Sequence, residues 1–548
     1  MPACKNCQSA FTIYPEDRAF YGRIGVPEPT FCPLCRNQRR LAWRNERTFY
    51  QGKSDLSGKT ILSVYSPDKK FPVYEQAEWW GDAWDPFSYG REIDWQRPMM
   101  EQIHDLFLAM PRPALFNRNC VNSHYGNLQE SDLNCYYEVG SGWCEESHYG
   151  TVNIHCSNIL DSHYAHKCEL SYYLINCENC YNGVYCQNCH DCLETYFCYN
   201  CRGCSNCFGC VNLRNAKYHW FNEPISEADF KNRLQELGKY SFYQKAKDDF
   251  FDFKKKNIQA HAIQVKCENS TGDYLTYCHD VKNCSDLKEA TNCKYFYRGE
   301  KVTDSYDCDN SGWPASWLYE VLSADTSAHC MFNIFSWENS FIQYCFQCFT
   351  SQDLFACSGL RGQKFCILNK QYSEEEYKKL LPKVIAKMKA DGEYGEFFPV
   401  AMSPYAYNET VAQEYYPLTR KEVLAKGWRW QDNLPGTFGK ETVQWENIPD
   451  DIKDAPAGLA KEILACQNCQ KNYKLIPQEI SFYQKQNLPL PRLCPLCRHL
   501  ERIKLRNPRR LYHRQCMRPG CANEFETTYA PDRPEKVYCE ECYRKEIY

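Results

Sequence analysis

Through the middle of the chain the residues that can be buried recur in threes. Every cysteine from Cys120 to Cys210 falls on a multiple of three, and where cysteine is missing a small residue often stands in, as at Ser123, Ser147, Ser162, Ala165 and Gly183. Strands alternate with period two, so long flat strands cannot generate this pattern. Very short strands joined by bends and wound into a solenoid can, with each third residue pointing into a narrow interior. The columns also recur at 21, as Cys135, Cys156, Cys177, Cys198 and Cys168, Cys189, Cys210, which implies stacked coils. After Cys267 the phase slips by one through Cys278, Cys284, Cys293 and Cys308 and returns from Cys330 to Cys366, which predicts a second section with irregular turns. His124, His148 and His163 follow serines of the inward phase and are expected to face outward beside tyrosines.

Helical spacing appears where the ladder stops. Ser226-x-x-Asp229 and Ser373-x-x-Glu376 each put an N-cap oxygen and an acidic third residue before apolar runs, Phe230, Leu234, Leu237 and Tyr377, Leu380, Leu381, Val384. Pro382 is expected to kink or break the second of these helices. A connecting helix is expected over Met99 to Phe107.

Two duplications organise the chain. Residues 3–50 laid over 465–512 without a gap leave 20 of 48 positions identical. Inside that repeat, Cys198-Tyr-Asn-Cys201 through Ser226 matches Cys345-Phe-Gln-Cys348 through Ser373 at an offset of 147.

In the outer repeat, Cys4-x2-Cys7 is followed after 24 residues by Cys32-Pro-Leu-Cys35, and Cys466-x2-Cys469 likewise by Cys494-Pro-Leu-Cys497. Four thiolates in two knuckles close a tetrahedral zinc shell with no position left for water, which makes a structural site. Phe11-Thr-Ile and Tyr473-Lys-Leu read as strand between the knuckles, and an Arg-rich helix follows the second knuckle, which is treble-clef order. A third site closes the chain, Cys516-x4-Cys521 with Cys539-x2-Cys542, giving three structural zinc ions in all. The positions of the N-terminal copy that correspond to this third site, Ser54, Lys59, Glu75 and Glu78, cannot supply thiolates. Residues 51–80 are therefore expected to keep the hairpin without metal, with Tyr65, Tyr74, Trp79 and Trp80 filling its core. The ladder cysteines have knuckle spacing too, but a run in unbroken threes reads better as packing, since free cysteine behaves as a small buried hydrophobe.

The pattern Cys-x2-Cys, apolar strand, Phe20-Tyr21 or Phe482-Tyr483, and the Pro-x-x-Cys-x2-Cys-Arg block with its basic tail resembles the short bacterial treble-clef zinc-ribbon family. The resemblance is confined to residues 3–50 and 465–512. The segment from Phe525 to Tyr543 is similar to small ribbons appended to RNA-associated bacterial proteins. Paired ribbons enclosing a ladder also resemble an uncharacterised cysteine-rich solenoid protein family of small-genome bacteria. That likeness implies fold and no activity; some members carry an acyl-CoA transferase label, and nothing in these residues supports that chemistry.

Composition narrows the rest. The 37 cysteines are an odd number, and Met1-Pro-Ala-Cys-Lys-Asn-Cys has neither a basic nor an apolar leader segment. Reduced thiols, a cytoplasmic location and no membrane partner are the expectations. The net charge of -4 hides a division: residues 36–53 carry six basic residues against Glu46, a net +5, residues 498–518 carry eight against Glu501, a net +7, and the remainder carries -16. Arg36, Arg40, Arg44 and Arg47, and Arg498, Arg502, Arg506, Arg509 and Arg510, are spaced to share one helix face. Trp43, Phe49, Tyr50 and Tyr512 lie among them and could stack on bases. This predicts a non-catalytic zinc protein that binds nucleic acid, RNA before DNA. Docking of the same arginines on the acidic solenoid is the competing reading. A protein-interaction scaffold on a Tyr-rich solenoid and a thiol-rich metal or redox buffer are the alternatives. No phosphate-binding glycine loop, nucleophile elbow, HExxH or paired-carboxylate motif is present, so no catalytic residue and no small-molecule substrate are assigned.

The expected fold is α+β and multidomain, with terminal treble-clef and zinc-ribbon modules flanking a cysteine-ladder β-solenoid with helical insertions. Its segments are a treble clef (1–50), a metal-free ribbon and connecting helix (51–112), a first solenoid section (113–222), a helical insertion (223–258) and a second section (259–370). A helix (371–392), a linker packed in part (393–464), a second treble clef (465–513) and a terminal ribbon (514–548) complete it.

Overall fold

The computed structural model describes residues 1–316, 318–325 and 327–548. It is a mixed helix-and-strand protein with several small sheets and cysteine clusters towards both ends. No described helix is long and apolar enough to cross a membrane.

Between Asn117 and Arg214 the backbone pairs with itself in parallel at a constant offset of twelve residues, as in Val121 with Leu133, Tyr172 with Val184 and Tyr181 with Leu193. Each triplet divides its labour. The first residue points inward, the second bridges to the next turn, and the third turns the corner in the left-handed region, for example Asn179, Asn182, Asn188 and Asn200 with φ of 51 to 54°. Asparagine tolerates that conformation better than most residues, which explains its frequency there.

Hydrogen bonding explains the cysteines. The bridging N–H of Tyr181 donates to the Cys192 carbonyl and the corner N–H of Asn182 to the Glu169 carbonyl. The inward N–H is left over, and it donates to the inward side chain one turn earlier: Cys144 to Asp132 Oδ1 at 2.9 Å, Gly183 to Ser171 Oγ at 2.9 Å, Cys168 to Cys156 Sγ at 3.5 Å. A small inward residue with an acceptor satisfies that donor, although Ile159, Ala165 and Leu174 also fill the interior. The thiol is in turn a donor, as from Cys180 to the carbonyls of Glu178 and Cys189, both at 3.4 Å. Cysteine meets the size, acceptor and donor requirements together. The expected recurrence at 21 is corrected to twelve: a step of 21 is one turn plus three sides, so it only leads to the neighbouring column.

All three histidines hold the bridging and not the inward position, and His124 is exposed. His148 and His163 are buried, because their wall is covered by the elements described below. Ladder thiols from Cys135 to Cys210 are all buried, so alkylating reagents should label few of them until denaturant is added. Overpacking by Cys189→Phe should cost about 1 to 3 kcal/mol, whereas Cys189→Ala should be mild; rapid native labelling or a severe alanine effect would contradict the packing role.

The second ladder, from Gln264 to Ile367, pairs in the same parallel sense, with offsets of eleven at Gln264–Leu275 and thirteen at Cys308–Val321 where the cysteine phase slips. Both ladders end alike. Asn222 and Asn369 accept the last bridging N–H groups, those of Val211 and Ser358, at 2.9 and 2.8 Å, a short antiparallel turn follows, and Ser226 and Ser373 cap the helices Glu227–Leu234 and Glu374–Ala390. The second helix is not broken at Pro382: it continues from Glu374 to Ala390, with a capping box at Ser373 and with Tyr377, Val384 and Met388 buried. The connecting helix spans Met99–Ala109. The segment 393–464 forms short helices, Val411–Tyr415 and Arg420–Ala425 among them.

The chain divides into two compact units that cut across its linear order. One unit joins Met1–Leu115 to Ala262–Leu434 and Pro508–Leu511; the other joins Phe116–His261 to Pro435–Asn507 and Tyr512–Tyr548. Each therefore holds one ladder, one four-cysteine module and one ribbon, with the N-terminal module on the second ladder and the C-terminal module on the first.

Candidate metal centres

Three groups of four cysteines bring their sulfurs together, within 4.8 Å of one another: Cys4, Cys7, Cys32 and Cys35; Cys466, Cys469, Cys494 and Cys497; Cys516, Cys521, Cys539 and Cys542. They are the groups expected from spacing. Sulfurs bound tetrahedrally to zinc at about 2.3 Å lie roughly 3.8 Å apart, and Cys7–Cys32, Cys469–Cys494 and Cys521–Cys539 stand at 3.8, 3.7 and 4.0 Å.

The local backbone favours thiolates. Gln8 and Gln470 turn the first knuckles at φ of 61 and 62°. The Cys32, Cys494 and Cys539 N–H groups donate to the sulfurs of Cys4, Cys466 and Cys516 at 3.2 to 3.3 Å. Asn6 and Asn468, repeated at the same place in both knuckles, donate to Cys35 and Cys497 at 3.3 Å. The thiols also share protons in pairs: the contact with Cys35 lowers the Cys32 pKa to about 5 and raises that of Cys35, and the contact with Cys494 lowers the Cys466 pKa to about 4 and raises that of Cys494. Such donor sets fit a divalent soft or borderline cation.

Two local expectations change. Phe11 to Ile13 is not a strand; pairing there consists of an Ala3–Ala10 bridge, and in the second module of Leu464–Ala465 with Asn472–Tyr473 and a Phe438–Lys471 bridge. Helices Pro15–Arg23 and Pro477–Lys485, unforeseen from spacing, fill the interval before the second knuckle. In residues 51–80 a hairpin joins Tyr50–Lys53 to Thr60–Ser63. The four positions that lack cysteine join in a polar cluster: Ser54 Oγ donates to Glu78, the Glu75 N–H donates to Ser54 at 3.3 Å, and Lys59 lies 3.8 Å from Glu78. Tyr65, Tyr74 and Trp79 are buried, whereas Trp80 is partly exposed beside Trp79.

The helices Pro33–Leu41 and Pro495–Lys504 follow the second knuckles, and their arginines do not share a solvent face. In the first unit Arg36 pairs with Asp307 at 2.8 Å, Arg40 with Asp309 at 2.6 Å, Arg44 with Glu46 at 2.6 Å, and Arg47 lies 3.9 Å from Glu414. All four are buried. Arg509, in the same unit, lies 3.6 and 3.7 Å from Asp286 and Asp309. In the second unit Arg498 lies 3.3 Å from Asp161 and 2.7 Å from Glu479, and Arg502 lies 2.7 Å from Asp161. Arg506 lies over the Tyr164 ring and is buried. Of the nine arginines, Arg510 is exposed. The aromatic residues among them are occupied as well: Trp43 and Tyr50 are buried, and Phe49 and Tyr512 are half-buried.

The two docking faces correspond. Asp161 and Asp307, Tyr149 and Tyr295, and Tyr173 and Tyr319 are related by an offset of 146, one less than the ladder repeat because of the phase slip. Arg498 and Arg36 lie over Tyr149 and Tyr295 at 4.8 and 5.2 Å. Burial opposes the charge on Arg36, but Asp307 outweighs it and the guanidinium pKa is raised. Burial pushes Glu320, beside Arg39 and Arg40, up to about 7. Spacing had not marked Asp161, Asp307, Asp309, Glu320 or Glu479, although an acid stands at both Asp17 and Glu479 in the outer repeat.

No family model matches the chain, and no curated protein matches it. A solved structure assigned as an acetyltransferase from Desulfovibrio desulfuricans G20 is similar at 7% identity, covering 43% of this chain and 63% of that one with a TM-score of 0.11, too low to carry an argument.

Proposed function

We propose that the chain is a non-catalytic, zinc-stapled scaffold: two treble clefs and a terminal zinc ribbon hold two cysteine-ladder solenoids, whose outer walls bind a protein partner. The observation that carries this reading is the docking of Arg36 and Arg40 on Asp307 and Asp309, matched by Arg498 and Arg502 on Asp161. Zinc fixes each helix, and the helix spends its charge inside its own unit. The first ladder also leaves two pairs of apolar side chains on one wall, Val121 with Leu133 and Tyr181 with Leu193, each 38 to 54% exposed and separated by Glu145, Ser157 and Glu169. The resemblance to treble-clef zinc ribbons agrees with the metal and with a structural role.

Nucleic-acid binding through the arginine helices is the reading to exclude. If about five phosphates were neutralised, log affinity would fall with log salt at a slope of roughly -4. We expect no such binding to RNA or DNA pools at low ionic strength. A slope of that size, flattened by Arg506→Glu, Arg509→Glu and Arg510→Glu with the metal retained, would overturn the scaffold reading.

A further inference from the structure

We propose that the open end of the first ladder pairs with the same end of a second copy of this chain, across a two-fold axis at Val121. The first turn of the ladder has no earlier turn to meet. One turn on, the Asp132 carbonyl accepts from the Val121 N–H and the Asn134 N–H donates to the Val121 carbonyl, both at 2.9 Å. Asn122 turns its corner at φ of 49° as Asn134 does at 54°, so the Asn122 N–H and the Cys120 carbonyl point the same way as these counterparts. Among the described residues, neither has a backbone partner, and the same holds for the Ser123 carbonyl and the Tyr125 N–H.

This edge differs from the other ladder ends. Both last turns are closed by an antiparallel turn and a helix. The first turn of the second ladder carries Lys266 and Glu268, both exposed, charges of the kind that keep sheet edges from pairing. Residues 119–129 contain no Asp, Glu, Lys or Arg. Val121 is instead 54% exposed, and Leu133, its neighbour on the same wall, 38%. Self-complementarity selects the occupant. Two identical strands paired antiparallel about one residue exchange two hydrogen bonds between the residues that flank it; about Val121, the Asn122 N–H of each copy reaches the Cys120 carbonyl of the other. Such a contact is isologous and closes at two chains. The same axis brings the two Val121 side chains together and joins them with the two Leu133 side chains in one apolar row, which ends where Glu145 takes the next place on the wall. The inference goes beyond the scaffold reading and does not rest on it, since Tyr181 and Leu193 remain available to another partner.

Sedimentation of the full-length, zinc-loaded protein tests this. The native chain should pass from one copy to two as its concentration rises through the micromolar range. Val121→Lys and Val121→Glu, at an exposed position, should keep the native metal content and urea midpoint. Each should nevertheless raise the dissociation constant about tenfold or more, because like charges meet on the axis. Mixing the two variants should restore the dimer, since opposite charges then meet. A dimer that survives Val121→Lys, or a mixture that fails to pair, would overturn the proposal. A native chain that stays monomeric would overturn it too, and if its Val121→Lys variant then lost a copurifying protein the edge would belong to a foreign strand.

Discussion

A Cys494→Ser chain should retain one metal ion fewer than the native protein and lose the structure of residues 465–507. The four sulfurs of this module form a closed group, with Cys466, Cys494 and Cys497 buried and backbone and Asn468 donors aimed at the sulfurs. At a closed four-thiolate site metal binding free energy is folding free energy, on the order of 10 kcal/mol or more. Serine offers a poor ligand and leaves three thiols crowded together. The helix Pro495–Lys504 should then leave its place, exposing Asp161 and the ladder wall. Elemental analysis and limited proteolysis check this; an unchanged metal count with a protected helix would sink the assignment.

Asp161→Ala should be less disruptive than loss of the metal but still strongly destabilising within its unit, although it touches no metal ligand. Asp161 is completely buried and faces both Arg498 and Arg502. Glu479 still holds Arg498 in the variant, and the Tyr149 carbonyl still accepts from Arg502 at 3.0 Å. The buried Arg502 charge nevertheless loses its ion-pair partner. Removing one side of a buried pair costs about 3 to 5 kcal/mol, chiefly through the charge left behind. The urea midpoint should fall accordingly with zinc still bound, and replacing Arg502 by methionine in the Asp161→Ala background should restore part of the loss. A shift below about 1 kcal/mol, smaller than typical buried-pair effects, would show that the helix is held by other contacts.

These expectations separate what is local from what is not. Each four-cysteine group is written in short spacings, Cys4-x2-Cys7 and Cys32-x2-Cys35 with their copies, because tetrahedral coordination needs particular ligands at short range and leaves little to context. The helix caps at Ser226 and Ser373 were legible for the same reason. The ladder announced that each third residue points inward, since the three-residue side of a turn is itself a local repeat. It did not announce the twelve-residue turn, which depends on how many sides close before the backbone meets itself.

The arginines were legible as a charge pattern and not as a destination. Spacing on a helix fixes which side chains are neighbours, but solvent or an acidic wall can lie opposite with the same sequence. The wall that receives Arg36 and Arg40 is Asp307 and Asp309, some 270 residues away in the chain, and Asp161 is 341 residues from Arg502. Sequence by itself therefore determined the cysteine groups, the inward phase of the ladder and the helix starts: the last two are set by contacts within a few residues, and the first by paired knuckles that each hold two ligands at short spacing. Only the tertiary structure decided that each module docks on the ladder more distant in sequence and that the positive charge is spent there. Burying a guanidinium is tolerable only where a distant carboxylate arrives to meet it.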